Sequence, residues 1–96
     1  MWAVIATVSL PEGASPEDMR QALVETAVPA VGALNGLVDA TWTISDDRTA
    51  GVGIYRFRTE ADARARAATI AVGSSAPGGA TVAKVDVLEV LVEITG

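Results

Sequence analysis

A chain of 96 residues, half of them hydrophobic, supplies the core of one domain, and no segment has the long apolar run that a membrane span needs. It contains no cysteine and no histidine, which removes disulfides, thiolate nucleophiles, zinc–thiolate sites and the commonest general base and haem ligand. Its net charge of -5, with seven basic residues, is opposite in sign to what a phosphate backbone attracts, so no nucleic-acid partner is expected.

Residues 1 to 10 alternate, with Trp2, Val4, Ala6, Val8 and Leu10 set against Ala3, Ile5, Thr7 and Ser9, the period of a strand with one strongly apolar face. The stretch lacks the basic leading region of a signal peptide and breaks into Pro11-Glu12-Gly13, so it reads as a strand of a cytoplasmic protein. Ser15-Pro16-Glu17-Asp18 then provides a hydroxyl N-cap, a proline at the first helical position and acids at the positive end of the helix dipole. The helix that follows carries a stripe of Met19, Ala22, Leu23, Thr26, Ala27 and Ala30, and Pro29, lacking an amide hydrogen, predicts a break near Val28. Asn35-Gly36 marks a turn, Leu37 to Ser45 a second strand, Asp46 to Thr49 a polar turn and Gly51 to Arg58 a third strand. Thr59-Glu60 opens a second helix with a small apolar stripe of Ala61, Ala65, Ala68 and Val72 and a Glu60–Arg64 pair at i, i+4. Gly73 to Ala80 is a flexible connector, and Thr81 to Thr95 reads as one long final strand.

The order βαββαβ defines an α+β fold of ferredoxin-like type. It predicts a four-stranded antiparallel sheet with two helices on one face, formed by a single domain over residues 1 to 96. Its other face is then uncovered. In the last strand Leu88, Val90, Val92 and Ile94 lie on one side and Val85, Val87 and Leu91 on the other, so neither side is made for water. A homodimer packed sheet on sheet is expected, with the long last strand reaching across to its partner.

The register of the central hairpin follows from its turn. A two- or four-residue loop centred on Asp47-Arg48 sets Trp42 against Gly53, Ala40 against Tyr55, Asp39 against Arg56 and Val38 against Phe57. A glycine then opposes the bulkiest side chain and a cation opposes an anion. Trp42, Tyr55 and Phe57 share the face assigned to the helices, and Asp39, Thr41, Thr43, Arg56 and Arg58 share the other. The small stripe of the second helix is expected either to pack closely over the aromatics or to leave space above them for a flat ligand.

Val28-Pro29, Asn35-Gly36-Leu37-Val38, Trp42-Thr43, Gly53-Ile54-Tyr55-Arg56-Phe57 and the helix start Thr59-Glu60-Ala61-Asp62-Ala63 together resemble the dimeric α/β-barrel superfamily. The closest flavour is the YdhR-like branch of the antibiotic-biosynthesis-monooxygenase-like proteins. The topology covers the whole chain and the specific motifs span residues 28 to 63; Asn35 stands where the pattern has proline, Ala40 where it has lysine, and Arg56 at a commonly aliphatic position. The resemblance implies a cavity between sheet and helices for a flat aromatic or polyketide-like substrate. In some members that substrate is oxygenated with no cofactor, because its own anion reduces oxygen. On that reading Trp42 donates its indole hydrogen to a carbonyl or peroxide, Tyr55 exchanges a proton, and Arg56 or Arg58 stabilises an enolate at the cavity mouth. Met19, Leu23, Asn35 and Phe57 are the candidate substrate contacts. Haem degradation, which relatives of this fold perform with an axial histidine, is ruled out here.

Each of these residues also has a plain structural role. Trp42 and Tyr55 fit as core aromatics with satisfied polar tips, Asp39 with Arg56 as a cross-strand ion pair, Asn35 as a turn residue and residues 73 to 80 as a connector. Asp46-Asp47 is too short for a calcium site, so no metal is assigned. Two classes of function fit: a cofactor-independent monooxygenase, isomerase or cyclase, or a non-catalytic ligand-binding or assembly protein. They predict different interiors. An enzyme needs a cavity beside Trp42 and Tyr55 with converging polar groups, whereas an assembly protein fills that space with Met19, Leu23 and the alanines of helix two.

Overall fold

The computed structural model describes residues 1–96 as an α+β domain built on a five-stranded, wholly antiparallel sheet in the order β2-β3-β1-β5-β4. The strands are β1 (Trp2–Ser9), β2 (Leu37–Ile44), β3 (Ala50–Phe57), β4 (Ser75–Ala76) and β5 (Ala80–Glu89). The sheet therefore has one strand more than the four expected, because two residues of the glycine-rich connector pair with Ala80 and Thr81 at its edge. Both helical segments pack on one face. There Val4 and Ala6 of β1, Tyr55 and Phe57 of β3, Val31 and Ala63 form one buried cluster. The alternation of β1 and β3 is why that face is apolar: side chains two apart share a side, and the alternate set is left to the open face.

The first helical segment runs without interruption from Pro16 to Gly32 as α1 (Pro16–Ala22), a π-helical turn (Leu23–Ala27) and α2 (Val28–Gly32). Asp18 N–H donates to Ser15 Oγ at 3.1 Å, so the cap is as its sequence implies. The break expected at Val28 is absent. Val28 keeps helical φ and ψ of -58° and -49°, and its amide bonds to the Leu23 carbonyl five residues back. The wider π turn leaves room for the Pro29 ring, which would otherwise meet the carbonyl four residues before it, and needs no hydrogen bond from that position.

The hairpin β2–β3 takes the expected register at Trp42↔Gly53, Ala40↔Tyr55 and Asp39↔Arg56. Its turn is held by Asp47, whose carboxylate accepts from the Ser45 hydroxyl at 2.8 Å and from the Thr49 hydroxyl at 2.7 Å. Past Asp39 the register shifts. Phe57 pairs with Leu37 rather than Val38, which is extruded as a bulge and left exposed.

The second helical segment, α3 (Glu60–Ala68), starts at Thr59, whose hydroxyl accepts from Asp62 N–H at 3.2 Å, and carries the Arg64–Glu60 pair at 2.8 Å. Its buried face is not the one its alanines first imply. Ala63 is fully buried and Ala67 and Ile70 pack on the core, while Ala61, Ala65 and Ala68 face water and Val72 lies beyond the helix end. Gly36, in left-handed backbone at φ +73°, fixes that rotation from below, because Asp62 lies where its Cβ would be.

β5 stops at Glu89 rather than continuing to Thr95. Its neighbour β1 pairs as far as Trp2↔Glu89, one further bond joins Val90 N–H to the Met1 carbonyl at 2.9 Å, and residues 91 to 96 have no strand beside them. Val85 and Val87 share a side as expected and pack on the core, but a bulge between Thr7 and Val8 shifts the pairing near Ala83. Leu91, Val92 and Ile94 project from the tail, each 85 % exposed or more.

Candidate functional site

A cavity of about 440 Å³ lies between the sheet and the first helical segment. Its floor is made by small side chains on the helix side of the two central strands, Ala6, Gly51 and Gly53. Its roof is the stripe Met19, Leu23, Ala27 and Ala30 with Val31. Because floor residues are short and the helix stands on Val31 and on the edge turn at Ala76-Pro77, the two layers cannot close on each other. Of 24 lining residues 16 are hydrophobic, and the only charged ones are Arg20 and Arg66.

Trp42 and Tyr55 form one wall. Their rings meet edge to face, 5.9 Å between centroids and 82° between planes, and the Trp42 indole Nε1–H donates to the Tyr55 hydroxyl at 3.1 Å. Gly53 makes this pairing possible: a Cβ there would sit 2.8 Å from the Tyr55 oxygen and 3.2 Å from Trp42 Cδ1. The indole hydrogen is thus used within the protein rather than aimed at a ligand. Tyr55, buried to 6 % exposure, accepts that bond and keeps its own hydroxyl hydrogen for a group in the cavity.

Arg66, from α3, completes the polar end. Its guanidinium carbon stacks 4.6 Å from the centre of the Tyr55 ring, and its buried Nε–H meets no acceptor on the protein. Helix periodicity alone puts Arg66 among the outward polar positions, and only the actual rotation of α3 turns it toward Tyr55. The one available signal was the pair Ala63 and Ala67, which flank it on the buried face.

The structure thus brings Met19, Leu23, Trp42 and Tyr55 to the wall of one cavity. Phe57, two residues beyond Tyr55, is 1 % exposed in the solid core and does not line the cavity. Asn35 is exposed in the turn before β2. The space lies beneath the first helical segment, and not between the aromatics and the small stripe of α3, the second of the two arrangements that stripe allows.

Arg56 is on the opposite face of the sheet. Its Nε–H donates to Asp39 Oδ1 at 2.8 Å, a second nitrogen engages Asp39 Oδ2, and the third reaches Glu93 of the tail at 2.6 Å. The Arg56 hydrogen bond holds the Asp39 carboxyl below the usual carboxylate range, and Asp39 in turn raises the guanidinium above its ordinary value. A guanidinium so engaged is a structural tie, unlike the free one of Arg66. Asp47 is likewise lowered, by the hydroxyls of Thr49 and Ser45. No three acidic residues are gathered to hold a metal ion, and no helix is long and apolar enough to cross a membrane.

No protein-family model matches the chain, and no curated protein matches it significantly.

Proposed function

We propose that the chain binds a flat aromatic or polyketide-like molecule in the cavity beneath the first helical segment and oxygenates it without metal or flavin. The observation that carries this reading is the cavity itself. An apolar space of about 440 Å³ ends on a buried tyrosine whose hydroxyl hydrogen is free and on an unpaired guanidinium. Met19, Leu23 and the glycine floor hold the ring system flat, and the Tyr55 hydroxyl and Arg66 receive the charge that develops on the substrate oxygen. An anthrone is the simplest such substrate. Its methylene loses a proton to give the enolate, which is oxidised by oxygen; one oxygen atom becomes the new carbonyl, the other leaves as water, and the two hydrogens of the methylene go with it.

The fold supports the same reading. The order β2-β3-β1-β5 with both helical segments on one face is ferredoxin-like, β4 being an addition at the edge, and the motifs of residues 28 to 63 fit a YdhR-like member of the dimeric α/β barrels. The open face of the sheet, with Ile5, Val52 and Ile54 only half covered and Leu88 exposed, is the surface for a second copy.

The test is oxygen uptake in air-saturated buffer with an anthrone as substrate. The native chain is expected to consume one oxygen per anthrone above the uncatalysed rate, and Tyr55→Phe is expected to lower the rate by about a hundredfold, the scale of one oxyanion donor. Uptake at the uncatalysed rate with every anthrone and naphthol tried, by a chain that binds them, would reduce the reading to its non-catalytic form, a binding protein using the same cavity.

A further inference from the structure

We infer that the ligand of this cavity is an anion, an apolar ring system bearing a carboxylate or an equivalent ionised oxygen group that seats on Arg66. The inference rests on the cavity being a ligand site and adds the charge that the ligand must carry.

Three observations point the same way. The chain has twelve acidic and seven basic residues, yet the cavity is lined by two arginines and by no aspartate or glutamate. A lining drawn at random from these charges would lean acidic; this one is wholly cationic.

Second, Arg66 has no anionic partner on the protein. Arg64, two residues earlier on the same helix, pairs with Glu60, and Arg56 pairs with Asp39 and Glu93. Arg66 makes no ion pair, and its buried Nε–H meets no acceptor on the protein. A half-buried guanidinium with no ion-pair partner, stacked on an aromatic ring, is stabilised most by an anion that brings two oxygens to its planar fork, the geometry of a carboxylate.

Third, the position of the charge is fixed. The guanidinium stacks on Tyr55 at 4.6 Å, and the Tyr55 hydroxyl, having accepted the indole hydrogen of Trp42, has its own hydrogen to give. An oxyanion at the rim of the tyrosine ring takes the Tyr55 hydroxyl hydrogen and lies on the side of the guanidinium charge. Arg20, exposed at the cavity mouth, adds a second positive charge on the way in.

The experiment compares 2-naphthoate with 2-naphthamide, which share shape and differ in charge, by isothermal titration of the full chain. The acid is expected to bind at least about tenfold more tightly than the amide, the scale of one charge-assisted hydrogen bond. Arg66→Gln is expected to erase that preference by weakening the acid more than the amide, and Arg66→Lys to keep part of it. Circular dichroism establishes that each variant is folded; if Arg66→Gln is not, the native comparison and Arg66→Lys decide. Equal affinity of acid and amide for the native chain overturns the inference and leaves the cavity reading standing. A preference for the acid that survives in folded Arg66→Gln overturns the assignment to Arg66. Binding of neither compound overturns the inference, and if anthrones also fail to bind, the cavity reading falls with it.

Discussion

At the scale of single residues, the site depends on a glycine. Gly53 lets Trp42 and Tyr55 lie over the strand and touch each other, so Gly53→Ala is expected to force them apart and cost about 1 to 3 kcal/mol in urea unfolding. Tyr55→Phe leaves the packing and removes the acceptor of a part-buried indole hydrogen, an expected loss of about 1 to 3 kcal/mol by the same measurement. On the other face Asp39 titrates below its ordinary range because Arg56 bonds its ionised form. The sign follows: the unfolded chain takes up the Asp39 proton first, so the contribution is whole above about pH 4 and is lost as pH falls through the lower, folded value. The gap in urea midpoint between the native chain and Asp39→Asn is therefore expected to be constant through neutral pH and to close below about pH 4. The pair is largely exposed, so the gap is small.

Among the elements, the hairpin was legible in the sequence and α3 was not. Trp42 opposite Gly53 and Asp39 opposite Arg56 is the only register that satisfies both size and charge, and these pairs form. The bulge at Val38 left no mark, since Leu37 and Val38 are interchangeable in apolar pattern. In α3 alanines stand at 61, 63, 65, 67 and 68, so two different faces have the same small apolar character, and the hydrophobic period cannot choose between them. Ala63 is the one fully buried. Ala63→Leu is expected to cost about 1 to 3 kcal/mol by overpacking, whereas Ala65→Leu and Ala68→Leu are expected to change stability by less than about 0.5 kcal/mol in thermal or urea melts. The same ambiguity hid Arg66, whose chemistry exists only once that rotation is known. Pro29 was read by its local cost, which the π turn before it removes.

For the whole molecule, the sheet has a covered face that holds a cavity and an open face that holds a charge cluster, so the residues of the hairpin divide between two surfaces. Arg56 ties β2 to the tail through Asp39 and Glu93, and on either side of Glu93 Leu91, Val92 and Ile94 stand in water. The reading of the open face as a contact between copies predicts a homodimer by light scattering after size exclusion at micromolar concentration; a monomer alone at that concentration contradicts it. The length assigned to the last strand shows how a sequence misleads at this scale. Residues 90 to 95 keep the β-branched pattern of a strand, but pairing with β1 ceases at Glu89, and pattern without a neighbour makes no ladder.

The central claim is that the space beside Trp42 takes a flat ligand, and the fluorescence of Trp42 reports it most directly. In the Trp2→Phe variant Trp42 is the sole tryptophan, and it lines the cavity. Titration with an anthrone is expected to quench it saturably, and adding Ala27→Phe, which fills the roof, is expected to abolish the effect. A folded Trp2→Phe chain whose emission shows no saturable response to anthrones, naphthols or flavonoids would contradict the claim.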